Sequence, residues 1–256
     1  MLMAIDIGNT NTVFALFEET KLTQFWRCRT ESARSVDEYA VFLRPLLEMA
    51  KVRWTDISDV IVSSVVPDAD LHIERFSKKY MNKAPFFVSP ASVNQIKIDL
   101  DRPGELGADR IVNAIAVIEH YRTPAVVIDF GTATTFDVIA KDGTYKGGVI
   151  APGVRLSIEA LHSRAAKLPK VSIQKPSNVI GRNTVDAMQS GMYWGYIGLI
   201  EGIVTHIREE MASDLFVIAT GGLAILYAEN TEVIEQVDEH LTLKGLLKIH
   251  QDRKGC

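Results

Sequence analysis

Asp6-Ile7-Gly8-Asn9-Thr10-Asn11-Thr12 is the first segment whose residue types suit a chemical task. A glycine between two apolar runs permits a tight turn and close approach of a ligand to the backbone. The Asn and Thr side chains and amides that follow can donate to phosphate oxygens. Asp6 can hold a hydrated Mg²⁺, an ion that takes one or two carboxylates and fills its shell with water and phosphate. A plain hairpin turn would favour Gly and Asn as well. A second occurrence tips the balance toward phosphate binding. Ile128-Asp129-Phe130-Gly131-Thr132-Ala133-Thr134-Thr135 lies over Ile5 to Thr12 at a shift of 123 residues, with Ile, Asp, Gly and the final Thr identical. Asp129 can bind a cation or orient a water, beside three threonines that make a hydroxyl-rich cradle. Two such openings suggest a duplicated domain. Facing each other, the two hairpins would clamp the phosphates of a nucleotide.

Other segments carry weaker signals. Gly104-Glu105-Leu106-Gly107-Ala108-Asp109-Arg110 precedes a helix expected over 111–119. Asp109 there is a good N-cap. Arg110 is less expected, because the helix dipole disfavours a cation. A functional reading makes Asp109 a base toward a hydroxyl and Arg110 an anion-binding group. Thr220-Gly221-Gly222 ends an expected strand and opens a helix; the glycines would let a ring or phosphate approach, or simply form the turn. It is not a P-loop, since no Gly-Lys-Ser/Thr follows. Tyr145-Lys146-Gly147-Gly148-Val149-Ile150-Ala151-Pro152-Gly153 either shapes a substrate pocket or is a turn before a helix. Gly191, Gly195, Gly198 and Gly202 fall at helical spacing and allow close packing in a core or a subunit interface.

The 256 residues suit one large domain or two ordinary ones, and 47% hydrophobic with 23% charged residues is that of a globular chain. A net charge of −4, with Lys and Arg scattered, disfavours binding along nucleic acid. Cys28 and Cys256 cannot make a disulfide framework, which suits a reduced cytoplasmic protein. The start Met1-Leu2-Met3-Ala4-Ile5-Asp6 lacks the basic region of a signal peptide. No apolar run approaches the ~18 residues of a membrane span. The six histidines form no metal motif, and Gly-x-Ser-x-Gly is absent.

The patterning predicts an α/β fold in both halves. Strands are expected at 2–7, 12–18 and 22–29, a helix at 36–50, a strand at 59–64, a helix at 69–80 and a short strand at 86–88. The second half repeats the three-strand meander at 125–130, 134–140 and 144–150. Helices follow at 154–163 and 184–211, a strand at 214–220 and a last helix at 242–250. The expected domains are 1–120 and 121–256.

These segments, in this order, resemble the type III pantothenate kinases of the acetate and sugar kinase, Hsp70 and actin superfamily. Gly107-Ala108-Asp109-Arg110 and Asp129-Phe130-Gly131-Thr132-Ala133-Thr134-Thr135 carry most of the likeness. Asn183-Thr184-Val185-Asp186-Ala187-Met188-Gln189-Ser190-Gly191 and Leu241-Thr242-Leu243-Lys244-Gly245-Leu246 add to it. The resemblance implies duplicated ribonuclease H-like, actin-like domains with a nucleotide cleft between them. It implies transfer of the ATP γ-phosphate to the 4′-hydroxyl of pantothenate, the first step of coenzyme A synthesis. Carried over by position, Asp6, Ile7, Gly8, Asn9, Thr10, Asn11, Thr12 and Val13 bind ATP with Mg²⁺, and Thr132 also contacts the nucleotide. Gly107, Ala108, Asp109 and Arg110 line the pantothenate site, with Asp109 as proton acceptor and Thr184 as a further contact. Asp129 matches a monovalent cation site for K⁺ or NH₄⁺. A cytoplasmic homodimer is implied. Many family members carry a Tyr nine residues before the catalytic acid; Leu100 stands there, so that hydrogen bond is lost or supplied otherwise. The competing readings are a kinase for another hydroxyl or carboxylate acceptor and a non-catalytic nucleotide-binding regulator.

Overall fold

Alternation along the first strand decides what its two faces do. In β1 (Leu2–Ile7), Met3, Ile5 and Ile7 point to one side and are fully buried. They pack with Phe14 and Leu16 of β2 (Asn11–Glu18) against α1 (Val36–Met49) and α2 (Pro67–Phe76) through Tyr39, Leu43, Ile73 and Phe76. Leu2, Ala4 and Asp6 lie on the opposite face because successive side chains alternate across a strand. The computed structural model describes residues 1–165 and 167–255, so Cys256 lies outside the described residues.

The remaining elements follow in order: β3 (Lys21–Arg29), β4 (Asp59–Ser64), β5 (Phe86–Phe87), α3 (Ala108–His120), β6 (Ala125–Phe130), β7 (Ala133–Ile139), β8 (Tyr145–Pro152), α4 (Val154–Arg164), α5 (Thr184–Met211), β9 (Phe216–Gly221), α6 (Ala224–Ala228), β10 (Gln236–Val237) and α7 (Leu241–Gly255). One sheet has the order β3-β2-β1-β4-β5 and the other β10-β9-β6-β7-β8, with β6 in the place of β1. In each, the first three strands form an antiparallel meander and the next two run parallel to the first. The chain is therefore a duplication of one α/β unit.

Register corrects the simple overlay of the two copies. Ile7 faces Thr12 across the first turn, whereas Phe130 faces Thr134 across the second. The first turn is one residue longer. Thr12 therefore corresponds to Thr134, both fully buried, and not to Thr135.

The chain divides into two units, residues 1–120 with those from Leu241 onward, and Tyr121–His240. The expected second domain ran to 256; α7 belongs instead to the first unit. Gly245 explains the attachment. A Cβ there would stand 2.1 Å from the Val112 carbonyl of α3, so α7 lies directly on α3's backbone. Leu241, Leu243, Leu246 and Ile249 are buried by this packing, and the Thr242 hydroxyl donates to Asn113 Oδ1 at 2.8 Å. In the second unit, Ile128, Phe130, Phe136 and Val138 pack on α4 and α5, which leaves Asp129 on the other face.

The segment 145–153 is β8 followed by Gly153 at the N-cap of α4. Of the two readings of the α5 glycines, packing in the core of this chain is the one the structure does not support. A Cβ at Gly191, Gly195, Gly198 or Gly202 meets nothing within 4 Å, so the stripe is uncovered in this chain.

Candidate active site

The turn after β1 is fixed from behind by one residue. The Gly8 amide donates to the Asn11 carbonyl at 3.0 Å and closes the turn. Thr30, just beyond β3, donates its amide to the Thr10 carbonyl at 3.0 Å and its hydroxyl to the Gly8 carbonyl at 2.7 Å. Its hydroxyl also lies 2.9 Å from that of buried Thr12. Two carbonyls of the turn are thus held by the sheet, while Asn9, Thr10 and Asn11 stay exposed to solvent. Such a turn is pre-organised for an incoming anion.

Asp6 and Asp109 come together in the first unit. Burial, and after it the nearby Asp109 charge, push the Asp6 carboxyl up to about 7. The Ser63 hydroxyl and the Arg27 guanidinium act against that rise. Burial also raises Asp109, opposed by the Arg110 amide and the Arg110 charge. A neighbouring negative charge makes a buried carboxylate such as Asp6 harder to ionise.

Asp109 is not the N-cap. The expected helix started at 111, but α3 begins at Ala108, with the Gly107 carbonyl accepting the first helical bond from the Ile111 amide at 3.2 Å. Asp109 sits in the first turn, and its Oδ1 accepts from the Arg110 amide at 2.8 Å. That amide is one of the donors a helix start leaves without a backbone partner. Ala108 is buried; Gly107 and Arg110 are half-buried.

The second turn is braced differently. The Gly131 amide donates to the Ala133 carbonyl at 3.0 Å, and the Gly153 amide donates to the Thr132 carbonyl at 3.1 Å. A Cβ at Gly153 would stand 2.2 Å from that carbonyl. Gly221, at φ +90°, packs so that a Cβ would stand 2.7 Å from both Asp129 Oδ1 and the Phe130 carbonyl. Thr135 lies opposite Asp129 and donates to Asp137 Oδ2 at 3.2 Å. Asp137 is fully buried and also accepts from the Tyr145 hydroxyl at 2.6 Å. Thr132 is exposed at the turn. Thr184 is the exposed first residue of α5, next to the N-cap Asn183 that accepts from the Asp186 amide.

The donor sets fit cations held largely by other oxygens. Among the described residues no group of three or more His, Cys, Asp or Glu converges. Asp6, a buried carboxylate under the influence of the Asp109 charge, fits a divalent ion that needs few protein ligands. Asp129, opposite Thr135 and Thr220 in the sheet and close to the Gly221 backbone, offers a carboxylate for a cation. Among the described residues no helix is long and apolar enough to cross a membrane.

A family model described as type III pantothenate kinase matches residues 2–206. A Paramagnetospirillum magneticum protein named type III pantothenate kinase is 53% identical over 252 residues, covering 98% of this chain and 97% of its own. The chain belongs to the type III pantothenate kinase family. Solved structures bear on the fold of this family member. A Campylobacter jejuni protein of the Baf family superposes with a TM-score of 0.63 at 20% identity, covering 99% of this chain and all of its own. A Sinorhizobium meliloti protein named as a 2-dehydro-3-deoxygalactonokinase gives 0.59 at 12% identity, covering 98% and 96%. At such identities they speak for the fold alone, a duplicated ribonuclease H-like α/β unit of the actin and sugar-kinase type.

Residues that hold the two turns escaped the sequence reading. Thr30 is distant from the turn it braces and has no local signature. Gly153 and Gly221 stood in visible glycine motifs, and their task is to let backbone approach Thr132 and Asp129.

Proposed function

We propose that this chain transfers the γ-phosphate of ATP to the 4′-hydroxyl of pantothenate, the first step of coenzyme A synthesis. The observation that carries the reading, beyond family membership, is the meeting of Asp6 and Asp109 next to a pre-organised anion turn. A primary alcohol is a poor nucleophile at neutral pH. A carboxylate within reach takes its proton as the bond to phosphorus forms, a contribution of roughly 10²–10⁴ in rate. Asp109 fills that role. Its Oδ1 is committed to the Arg110 amide, so the hydroxyl is received at Oδ2. Burial makes its carboxylate more basic than an exposed one, which suits a base.

The other residues position and compensate charge, the larger share of phosphoryl-transfer catalysis. Asp6 through Val13 hold the ATP phosphates, with Thr132 as a further nucleotide contact. Gly107, Ala108 and Arg110 line the acceptor site, and Thr184 is an additional acceptor contact. Asp6 would hold Mg²⁺ and Asp129 a K⁺ or NH₄⁺. Such ions, when bound, offset the negative charge on the phosphates.

A homodimer in the cytoplasm completes the reading. The uncovered glycine stripe of α5 supports it, as does the neighbouring apolar hollow of about 620 Å³ lined by Leu156, Leu161 and Met192. The test of the activity is ADP release by the purified protein with Mg-ATP and K⁺ or NH₄⁺, with and without pantothenate. Release that rises on adding pantothenate is expected. Release indifferent to pantothenate under both cations would overturn the assignment.

A further inference from the structure

Sheet register places a row of four residues on the face of the first sheet that carries Asp6. Asp6 on β1 faces Val13 on β2 and Ser63 on β4, and Val13 in turn faces Arg27 on β3. Paired residues share a face, so Arg27, Val13, Asp6 and Ser63 lie side by side across four strands. Strands are about 4.8 Å apart, so Arg27 and Asp6 are separated by roughly 10 Å of backbone. An extended arginine side chain covers most of that span, and Val13 between them is small enough to be passed over.

The two ends of the row are finished differently. α3 and α7 pack on β1 and β4. The β3 end stays open: Arg27 is exposed, and Phe25, next on the same face, is 47% exposed. Among the described residues Arg27 has no hydrogen bond or ion pair. Its place in the same row, two strands from Asp6 on the same face, puts its guanidinium within reach of the site. A phosphate arriving here meets two carboxylates and needs fixed positive charge. A guanidinium meets that need with a planar fork of donors matched to phosphate oxygens.

We propose that Arg27 is a catalytic residue that reaches across Val13 to donate to the oxygens of the phosphoryl group being transferred beside Asp6. This rests on the kinase reading above. The bond from the phosphorus to the β-phosphate oxygen breaks as that to the acceptor oxygen forms. Asp109 takes the acceptor proton, and Arg27 stays protonated throughout. Its contact strengthens as charge gathers on the transferred group, so its loss falls more heavily on kcat than on ATP affinity and spares ADP.

The test compares Arg27→Gln, Arg27→Lys and a control, Lys21→Gln, which removes a charge at the far end of the same strand. Steady-state kinetics give kcat and both KM values. Calorimetry gives the affinity for ADP and for a non-hydrolysable ATP analogue. Arg27→Gln should lower kcat by about 10²–10³-fold. It should weaken the analogue and leave ADP unchanged. Arg27→Lys should recover part of the loss, and Lys21→Gln should match wild type. Wild-type kcat and affinities in Arg27→Gln would overturn the proposal. So would equal weakening of ADP and analogue, which puts the contact on the inner phosphates. A rise confined to the pantothenate KM would move the guanidinium to the acceptor's carboxylate and overturn it too. If the wild-type protein ignores pantothenate, the kinase reading fails, and the calorimetric comparison still decides whether Arg27 meets a γ-phosphate.

Discussion

A Cβ on Gly107 would stand 2.6 Å from Oδ1 of Asp109. The carboxylate can fold back onto the Arg110 amide because residue 107 has no side chain. Gly107→Ala should therefore displace the base without removing it. A shift of about 1 Å in a reacting group costs on the order of 10²-fold in rate. Asp109→Asn should abolish turnover outright while ATP still binds. Kinetics with calorimetry on both variants check this; near-normal turnover in Asp109→Asn would remove Asp109 from the base role.

Asp6 makes the ligand-free protein sensitive to pH. Its carboxyl holds a proton up to about 7 in the folded state and releases it near 3.8 when unfolded. The folded state thus binds more protons across this interval, and stability falls as pH rises through it. Asp6→Asn should melt with wild type near pH 4 and above it at pH 8. The gain should be at most about 4 kcal/mol, equivalent to roughly 8–16 °C. Thermal melts at the two pH values, without divalent ions, are the measurement. Equal melting at pH 8 would mean that Asp6 ionises without cost.

The Asp129 carboxylate beside the second turn gives a prediction with two readouts. K⁺ should raise both the turnover and the melting temperature of the wild-type protein. Asp129→Ala should show neither response. Unchanged K⁺ activation in the variant would place the cation elsewhere.

The α5 stripe predicts an assembly. If a second copy covers Gly191, Gly195, Gly198 and Gly202, a bulky residue in the middle should separate the subunits. Sedimentation of the wild type should give a dimer and Gly195→Leu a monomer, with the fold kept because that position faces open space. A monomeric wild type at micromolar concentration would refute the dimer.

Much of this could be read from residue order. The meanders, the duplicated turns and α5 over 184–211 follow from local signals such as alternation and glycine between strands. Less local features did not. The one-residue difference between the turns depends on which residues pair, and an overlay of identities hides it. β10 has two residues, too few for any period to show. The start of α3 at Ala108 depends on a carbonyl at Gly107 and a carboxylate at Asp109 that act together only once folded. Asp6 and Asp109 were each visible as chemical residues, but their mutual repulsion depends on three-dimensional approach.

The return of α7 to the first unit gives the protein a particular order of birth. A ribosome finishes Tyr121–His240 as one uninterrupted stretch before it makes α7. The first unit, begun earlier, waits for its last helix until then. Until α7 arrives, α3 lacks the surface on which Val112 and Asn113 rest, and α3 is the helix that carries Asp109. Asp109, though made before the second turn, therefore sits on a helix whose packing partner is made after both turns.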